Sequence, residues 1–121
     1  MSACKHIALD FYGCNRRIAD GEAVRAALVA AALAARSEIV DSWARVQAPT
    51  GVVAIVIMPE AHITLHSYPE DGYAAVDILH ADWTFDTDAC QGYLEEFFSP
   101  AAVVRRELYR GGDSQPTAYR Q

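Results

Sequence analysis

The stretch Pro59-Glu60-Ala61-His62-Ile63-Thr64-Leu65-His66-Ser67-Tyr68-Pro69-Glu70-Asp71-Gly72-Tyr73 decides how the rest of the chain is read. Through its first half branched and polar residues alternate: Ile63 and Leu65 fall on one side, and His62, Thr64 and His66 on the other. A period of two is the pattern of a half-buried β-strand, because successive side chains leave a pleated backbone on opposite faces. Pro69 and Gly72 end the strand and turn the chain. Histidine, tyrosine and carboxylate side chains crowd this short, turn-bounded segment. The plainer reading of the same facts is a strand with a solvated polar face.

Working outward toward the N-terminus, Val52–Met58 (VVAIVIM) is a continuous apolar run, read as a strand covered on both faces, with Pro49-Thr50-Gly51 as the turn before it. Glu38–Val46 reads as a further strand. Between Glu22 and Arg36 the chain is rich in alanine and hence strongly helical. Val24, Leu28, Ala31 and Ala35 form a stripe that packs on a sheet, and Asp20 is placed to cap the first turn. His6–Tyr12 (HIALDFY) is the first strand, closed by Gly13, and residues 14–17 form a connection.

On the other side, Tyr73–Leu79 reads as a strand and His80–Thr84 as a loop. A second helix, capped by Asp86 or Thr87, runs to about Phe98 and buries Cys90, Leu94, Phe97 and Phe98. Ser99-Pro100 stops it, and Ala102–Tyr109 is a last strand with Arg105 and Glu107 on one side. The order β-α-β-β-β-β-α-β predicts a two-layer α/β sandwich: a largely antiparallel sheet with two helices on one face. One domain spans residues 1–121, with a loose polar tail at about 112–121.

Composition narrows the function classes. The chain has 121 residues, is 52% hydrophobic and carries a net charge of −6 with no block of like charge. An acidic surface speaks against nucleic acid, which needs a basic one, and suits a cationic small molecule such as a sulfonium or polyamine. Cys4, Cys14 and Cys90 are odd in number and form no CxxC pair, so neither a disulfide framework nor a zinc site is implied. No apolar run approaches a membrane span and no signal-peptide pattern opens the chain, which predicts a soluble cytoplasmic protein. His62 and His66 make an H-x-x-x-H spacing, but on a strand they stand roughly 13 Å apart, too far to share one ion. No metal is expected, and His62 and His80 read as structural histidines.

The run EAHITLHSYPEDGYAAVD (residues 60–77) resembles the core of bacterial and archaeal S-adenosylmethionine decarboxylases. Their pattern reads Glu-Ser-His-(Leu/Ile)-(Ser/Thr)-Ile-His-Thr-(Trp/Tyr)-Pro-Glu-x-Gly-Tyr-Ala-Ala. The resemblance covers about Lys5 to Gly111 and implies the same sandwich. It also implies a self-made cofactor, since in that family a serine attacks the preceding glutamate's carbonyl and the cleaved chain begins with a pyruvoyl group. Here Ala61 stands at the serine's position, so no pyruvoyl group is expected after Glu60. The processing histidine is matched by His66. The assisting serine falls on Val53, and the proton-donating cysteine on Ala81. An engineered Ser→Ala trap would account for Ala61 alone and not for the other two; natural divergence accounts for all three.

The ligand-holding half is better kept. The resemblance implies that Tyr68 stacks on an adenine and that Glu70 grips the ribose hydroxyls. The second stacking position falls on Gln47, with Trp43 near it in sequence. His66, Glu60 and Tyr73 are the acid–base candidates, expected around one pocket. S-adenosylmethionine or a related adenosyl or amine compound is then the expected substrate or ligand. The family implies a homodimer whose sites draw on both chains. Three functions follow: a repurposed enzyme (a lyase, hydrolase or cyclising enzyme), an inactive paralogue that regulates an active decarboxylase as a heteromer, or a binding protein without chemistry.

Overall fold

The computed structural model describes residues 3–47 and 49–112. In chain order the elements are β1 (Ala3–Tyr12), α1 (Gly21–Ala34), β2 (Asp41–Gln47), β3 (Gly51–Met58), β4 (Ala61–Tyr68), β5 (Tyr73–His80), α2 (Thr87–Phe98) and β6 (Ala102–Gly111). Short 3₁₀ turns occupy Arg16–Ala19 and Pro69–Asp71. The six strands form one sheet in the order β2-β3-β4-β5-β1-β6, each antiparallel to its neighbours. Both helices lie on one face, so the α/β sandwich read from the sequence is the fold.

The pleat sorts the side chains. Beneath the helices lie Ile7, Leu9 and Phe11 of β1, Val52, Ala54 and Val56 of β3, Ile63 and Leu65 of β4, and Ala74, Val76 and Ile78 of β5, all buried. They meet the helical stripe of Val24, Leu28, Ala31 and Ala35, together with Cys90, Leu94 and Phe98 of α2. Alanines let α1 lie close to β3 and α2 at once, since a methyl holds two backbones less far apart than a branched chain does. Asp20 and Asp86 cap the two helices, accepting from the N–H groups of Ala23 at 3.1 Å and Ala89 at 3.0 Å. At the other end of α2, Ser99 turns the chain at a φ of 47°, while the Asn15 side chain donates to the Phe97 carbonyl at 2.9 Å.

Three details of the elements differ from the sequence reading. β2 begins at Asp41 rather than Glu38, β6 runs on to Gly111, and the connection after Gly13 contains the turn Arg16–Ala19. The larger correction concerns β3. Only Val52, Ala54, Val56 and Met58 are buried; Val53 and Ile55 are half-buried and Ile57 is 37% exposed. A continuous apolar run does not tell by itself whether one face or two are covered, and here no helix lies on the second face. Apart from Gly112, the expected loose tail lies outside the described residues. No helix among them is long and apolar enough to cross a membrane.

His80, at the end of β5, is a structural histidine of the core. It is 3% exposed, stacks on Phe85 at 4.9 Å, and donates from Nδ1 to the Asp82 carbonyl at 3.1 Å. Burial pushes its imidazole below the ordinary 6.5. As pH falls through that value the unfolded chain takes up a proton that the native one resists, so stability falls with pH over the interval between the unfolded and folded values. Urea unfolding at about pH 7.5 and about pH 5.5 should show this loss, and His80→Phe should flatten it.

Candidate functional site

One cross-sheet row on the face without helices sets up the site. Tyr68 of β4 pairs with Tyr73 of β5, and their rings stack with centroids 5.6 Å apart. Tyr12 of β1 lies against the far side of Tyr73, centroids 5.3 Å apart. Continuing the other way, the β3–β4 register carries Tyr68 opposite Gly51, which itself pairs with Gln47 of β2. The aromatic row therefore stops where the next residue has no side chain. A groove of about 260 Å³ opens there, lined by Gln47, Gly51, Ser67, Tyr68, Pro69 and Glu70 among others. Tyr73 covers one face of the Tyr68 ring, which leaves the other face to the groove.

The groove's floor has little freedom. A Cβ on Gly51 would come within 2.9 Å of the Ser67 carbonyl oxygen, so glycine is required for the close approach of backbone to backbone. Beneath it the buried Ser67 hydroxyl donates to the Ile18 carbonyl at 2.6 Å and accepts from the Val52 N–H at 3.0 Å. These bonds tie β4 to the start of β3 and to the 3₁₀ turn after β1. The turn that carries Glu70 ends at Gly72, φ 62°, whose carbonyl accepts from the Cys14 N–H at 2.8 Å. The Cys14 thiol is pushed up to about 11 by burial, so it stays protonated and takes no thiolate role near neutrality.

Of the residues singled out in the sequence, Tyr68, Glu70 and Gln47 meet at this groove. His66 is exposed on the same face, one row along, between Val53 on β3 and Ala75 on β5. Tyr73 backs Tyr68, and its hydroxyl donates to Asp10, which pushes the phenol up to about 12. Trp43, 48% exposed and paired with Ile55, stands two rows away from Gln47 and does not line the groove.

Glu60 and its neighbours are elsewhere. Met58 and Ala61 close the β3–β4 hairpin around Pro59 and Glu60. The Glu60 φ of 55° beside a proline is the mark of a type II turn. The Glu60 carbonyl accepts from the Ala81 N–H at 2.9 Å, and Ala61 pairs with His80. Glu60, Ala61 and Ala81 thus gather at one end of β4 while Tyr68 stands at the other, about 26 Å away along eight residues of strand. The expectation that His66, Glu60 and Tyr73 ring one pocket is corrected: within one chain Glu60 is out of reach.

Sequence reasoning missed Asp10, Arg106 and Tyr12. Asp10 accepts from Tyr73 and, through its other oxygen, from Arg106 at 2.8 Å. The Tyr73 hydroxyl and then Arg106 hold its carboxyl below the usual range. The signal was a lone carboxylate on an otherwise apolar strand, HIALDFY. Among the described residues no group of three or more histidine, cysteine or carboxylate side chains is placed to hold a metal ion.

Known proteins share this fold. The family model for S-adenosylmethionine decarboxylase matches residues 5–111. The chain belongs to the S-adenosylmethionine decarboxylase family. It is 37% identical over 116 residues to the S-adenosylmethionine decarboxylase proenzyme of Moorella thermoacetica, covering 94% of this chain and 92% of that one. With the proenzyme of Caldicellulosiruptor saccharolyticus it shares 31% over 113 residues, 93% of this chain and 91% of the other. The crystal structure of the adenosylmethionine decarboxylase of Aquifex aeolicus superposes with a TM-score of 0.81 over 96% of this chain and 97% of that one. At 24% identity it supports the fold.

The groove's dependence on Ser67 is testable. Ser67→Ala removes the partner of two buried backbone groups, each costing roughly 1–3 kcal/mol when left unmet. Urea unfolding should show a loss of about 2–6 kcal/mol, with the secondary structure unchanged by circular dichroism.

Proposed function

We propose that this member of the family binds an adenosyl compound or related amine in the groove over Gly51, and acts on it with side chains rather than with a pyruvoyl group. The observation that carries this reading is the groove itself: an aromatic ring with one free face at Tyr68, an amide opposite at Gln47, and a carboxylate at Glu70. A planar base fits between the first two, and hydroxyls of a ribose are natural donors to the third.

The chain's own residues do not fit a pyruvoyl group. A methyl at Ala61, half-buried against the core, offers no oxygen to the Glu60 carbonyl. Val53 beside His66 has no hydroxyl, and Ala81 beside Glu60 has no thiol. A decarboxylation needs an electron sink for the carbanion it leaves, and none of these side chains is one. A sulfonium needs none. A base takes a proton from the substrate or from a water, the carbon–sulfur bond breaks, and a neutral thioether leaves with the electron pair. His66 is the candidate for that base, since Tyr73 keeps its proton to about 12. An elimination, a hydrolysis and a cyclisation all satisfy this balance.

The face without helices supports a homodimer. It presents Ile57, Trp43, Val104 and Leu108, each at least 37% exposed, alongside the site. A second copy laid on it about a two-fold axis perpendicular to the strands would carry its Glu60 end to this chain's Tyr68 end. The same face favours a second reading, in which an active paralogue takes the place of the second copy and this chain regulates it. Light scattering at micromolar concentration tests for self-association, and co-purification with a paralogue separates the two.

Intact-mass measurement should give one uncleaved species; fragments divided between Glu60 and Ala61 would refute the absence of processing. In titration calorimetry, S-adenosylmethionine, its decarboxylated form or methylthioadenosine should bind. Stacking on a base is worth about 1–3 kcal/mol, and charge-assisted hydrogen bonds about 1.5–3 kcal/mol. Tyr68→Ala and Glu70→Ala should therefore each weaken affinity by roughly one to two decades, while Tyr68→Phe should change it little. Failure of all three compounds to bind below millimolar would overturn the adenosyl reading.

A further inference from the structure

We propose that Asp10 is a positioning residue for the groove: by holding the Tyr73 hydroxyl it fixes the ring against which Tyr68 rests, and so fixes the wall a ligand would stack on. This rests on the groove being the adenosyl site proposed above. The chain of contacts crosses the sheet from its β6 edge. Arg106 of β6 donates to one oxygen of Asp10 at 2.8 Å, and Tyr73 of β5 donates to the other. Asp10 itself sits on β1 between Val104 and Ala75. Ala75 is small, which leaves room for the phenol of Tyr73 to lean across to the neighbouring strand.

Asp10 is well suited to the task. Its side chain is 20% exposed, while that of Arg106 is 68% exposed, so the carboxylate is the sheltered member and the arginine its solvent-side clamp. An ionised carboxylate makes the stronger class of hydrogen bond, and its two oxygens are committed in different directions. A phenol held in this way cannot turn away from its neighbours. Tyr73 is then gripped by Tyr12 on one side and by Tyr68 on the other. Without that grip Tyr68, itself 50% exposed, has only rotamer preference to set its ring. Asp10 touches no part of the groove, and neither does Arg106. Their effect on a ligand must pass through Tyr73.

Two measurements on the full chain test this, and only one needs a ligand. With ring-labelled tyrosine, the Tyr73 and Tyr68 resonances are assigned using Tyr73→Phe and Tyr68→Phe. In Asp10→Asn the Tyr73 phenol should ionise at lower pH than the about 12 of the parent, and the Tyr68 ring should lose the part of its shift that Tyr73 causes. Asp10→Glu, which restores the charge, should recover both. Unchanged Tyr68 resonances in a folded Asp10→Asn protein would overturn the positioning role whether or not any adenosyl compound binds.

For methylthioadenosine, Asp10→Asn and Tyr73→Phe should each weaken binding by roughly two- to tenfold, the range set by one net hydrogen bond. The double variant should be no weaker than either single one, because both remove the same link. Additive losses would mean that Asp10 acts on the ligand by another route and would also overturn the proposal. If the parent protein binds no methylthioadenosine, the adenosyl reading fails and the resonances alone decide the positioning role.

Discussion

Both helices lie on one side of the sheet, and the pleat then divides every strand between a buried set of side chains and a free one. The buried set is conventional: isoleucine, leucine, valine and alanine from four strands against an alanine-rich helix. The free set can carry chemistry because it need not fill a core. It holds His62, Thr64, His66 and Tyr68 on β4, with Tyr73 and Asp77 on β5 beside it and Asp10 and Tyr12 on β1 beyond. Ordinary sheet packing could not accept so many ionisable groups under a helix, where each would need a partner or lose its charge. Placing the core on one face only is what makes the other face available.

Within the free face the groove is made by subtraction. A row of tyrosines crosses three strands and would continue, but position 51 contributes no side chain. The same glycine is demanded by the backbone, since any Cβ would press on the Ser67 carbonyl. One residue thus answers two constraints, closeness of the strands and space above them. The buried Ser67 hydroxyl reinforces both, for it joins the strand that carries Tyr68 to the strand that carries Gly51. The part of the groove formed by Gly51, Ser67 and Tyr68 is as rigid as the sheet, while Pro49, Thr50 and Pro69–Asp71 line the rest from two turns.

Much of this could be read in advance, and the part that could not has a physical reason. Alternation over His62–His66 and the helical stripe of α1 are local patterns, and both elements form where they point. The caps at Asp20 and Asp86 are also local. The run Val52–Met58 does not disclose that only one of its faces is covered, because apolar residues on both sides of a strand look the same whether a helix or an open surface faces them. Tyr68, Glu70 and Gln47 line one groove because the β2–β3–β4 register brings their strand ends side by side. Trp43 does not join them: it shares their face, but four residues of strand at about 3.3 Å each carry it away from Gln47. The Asp10–Tyr73 bond joins residues 63 apart and depends on the β1–β5 register, which no local pattern reveals.

The two ends of β4 carry separate groups of residues. Glu60, Ala61 and Ala81 sit together at one end, while Tyr68, Glu70 and Gly51 sit at the other, about 26 Å apart. Glu60, Ala61 and Ala81 are not among the groove's lining residues. Residues at one end of the strand can therefore change without altering those at the other. Val53 is the exception, since it pairs with His66 one row from the groove. Its methyls put an apolar surface beside that imidazole where a hydroxyl would have offered a partner. Exposed on an open face, His66 is therefore left without a side-chain hydrogen bond from β3, and its ring faces solvent.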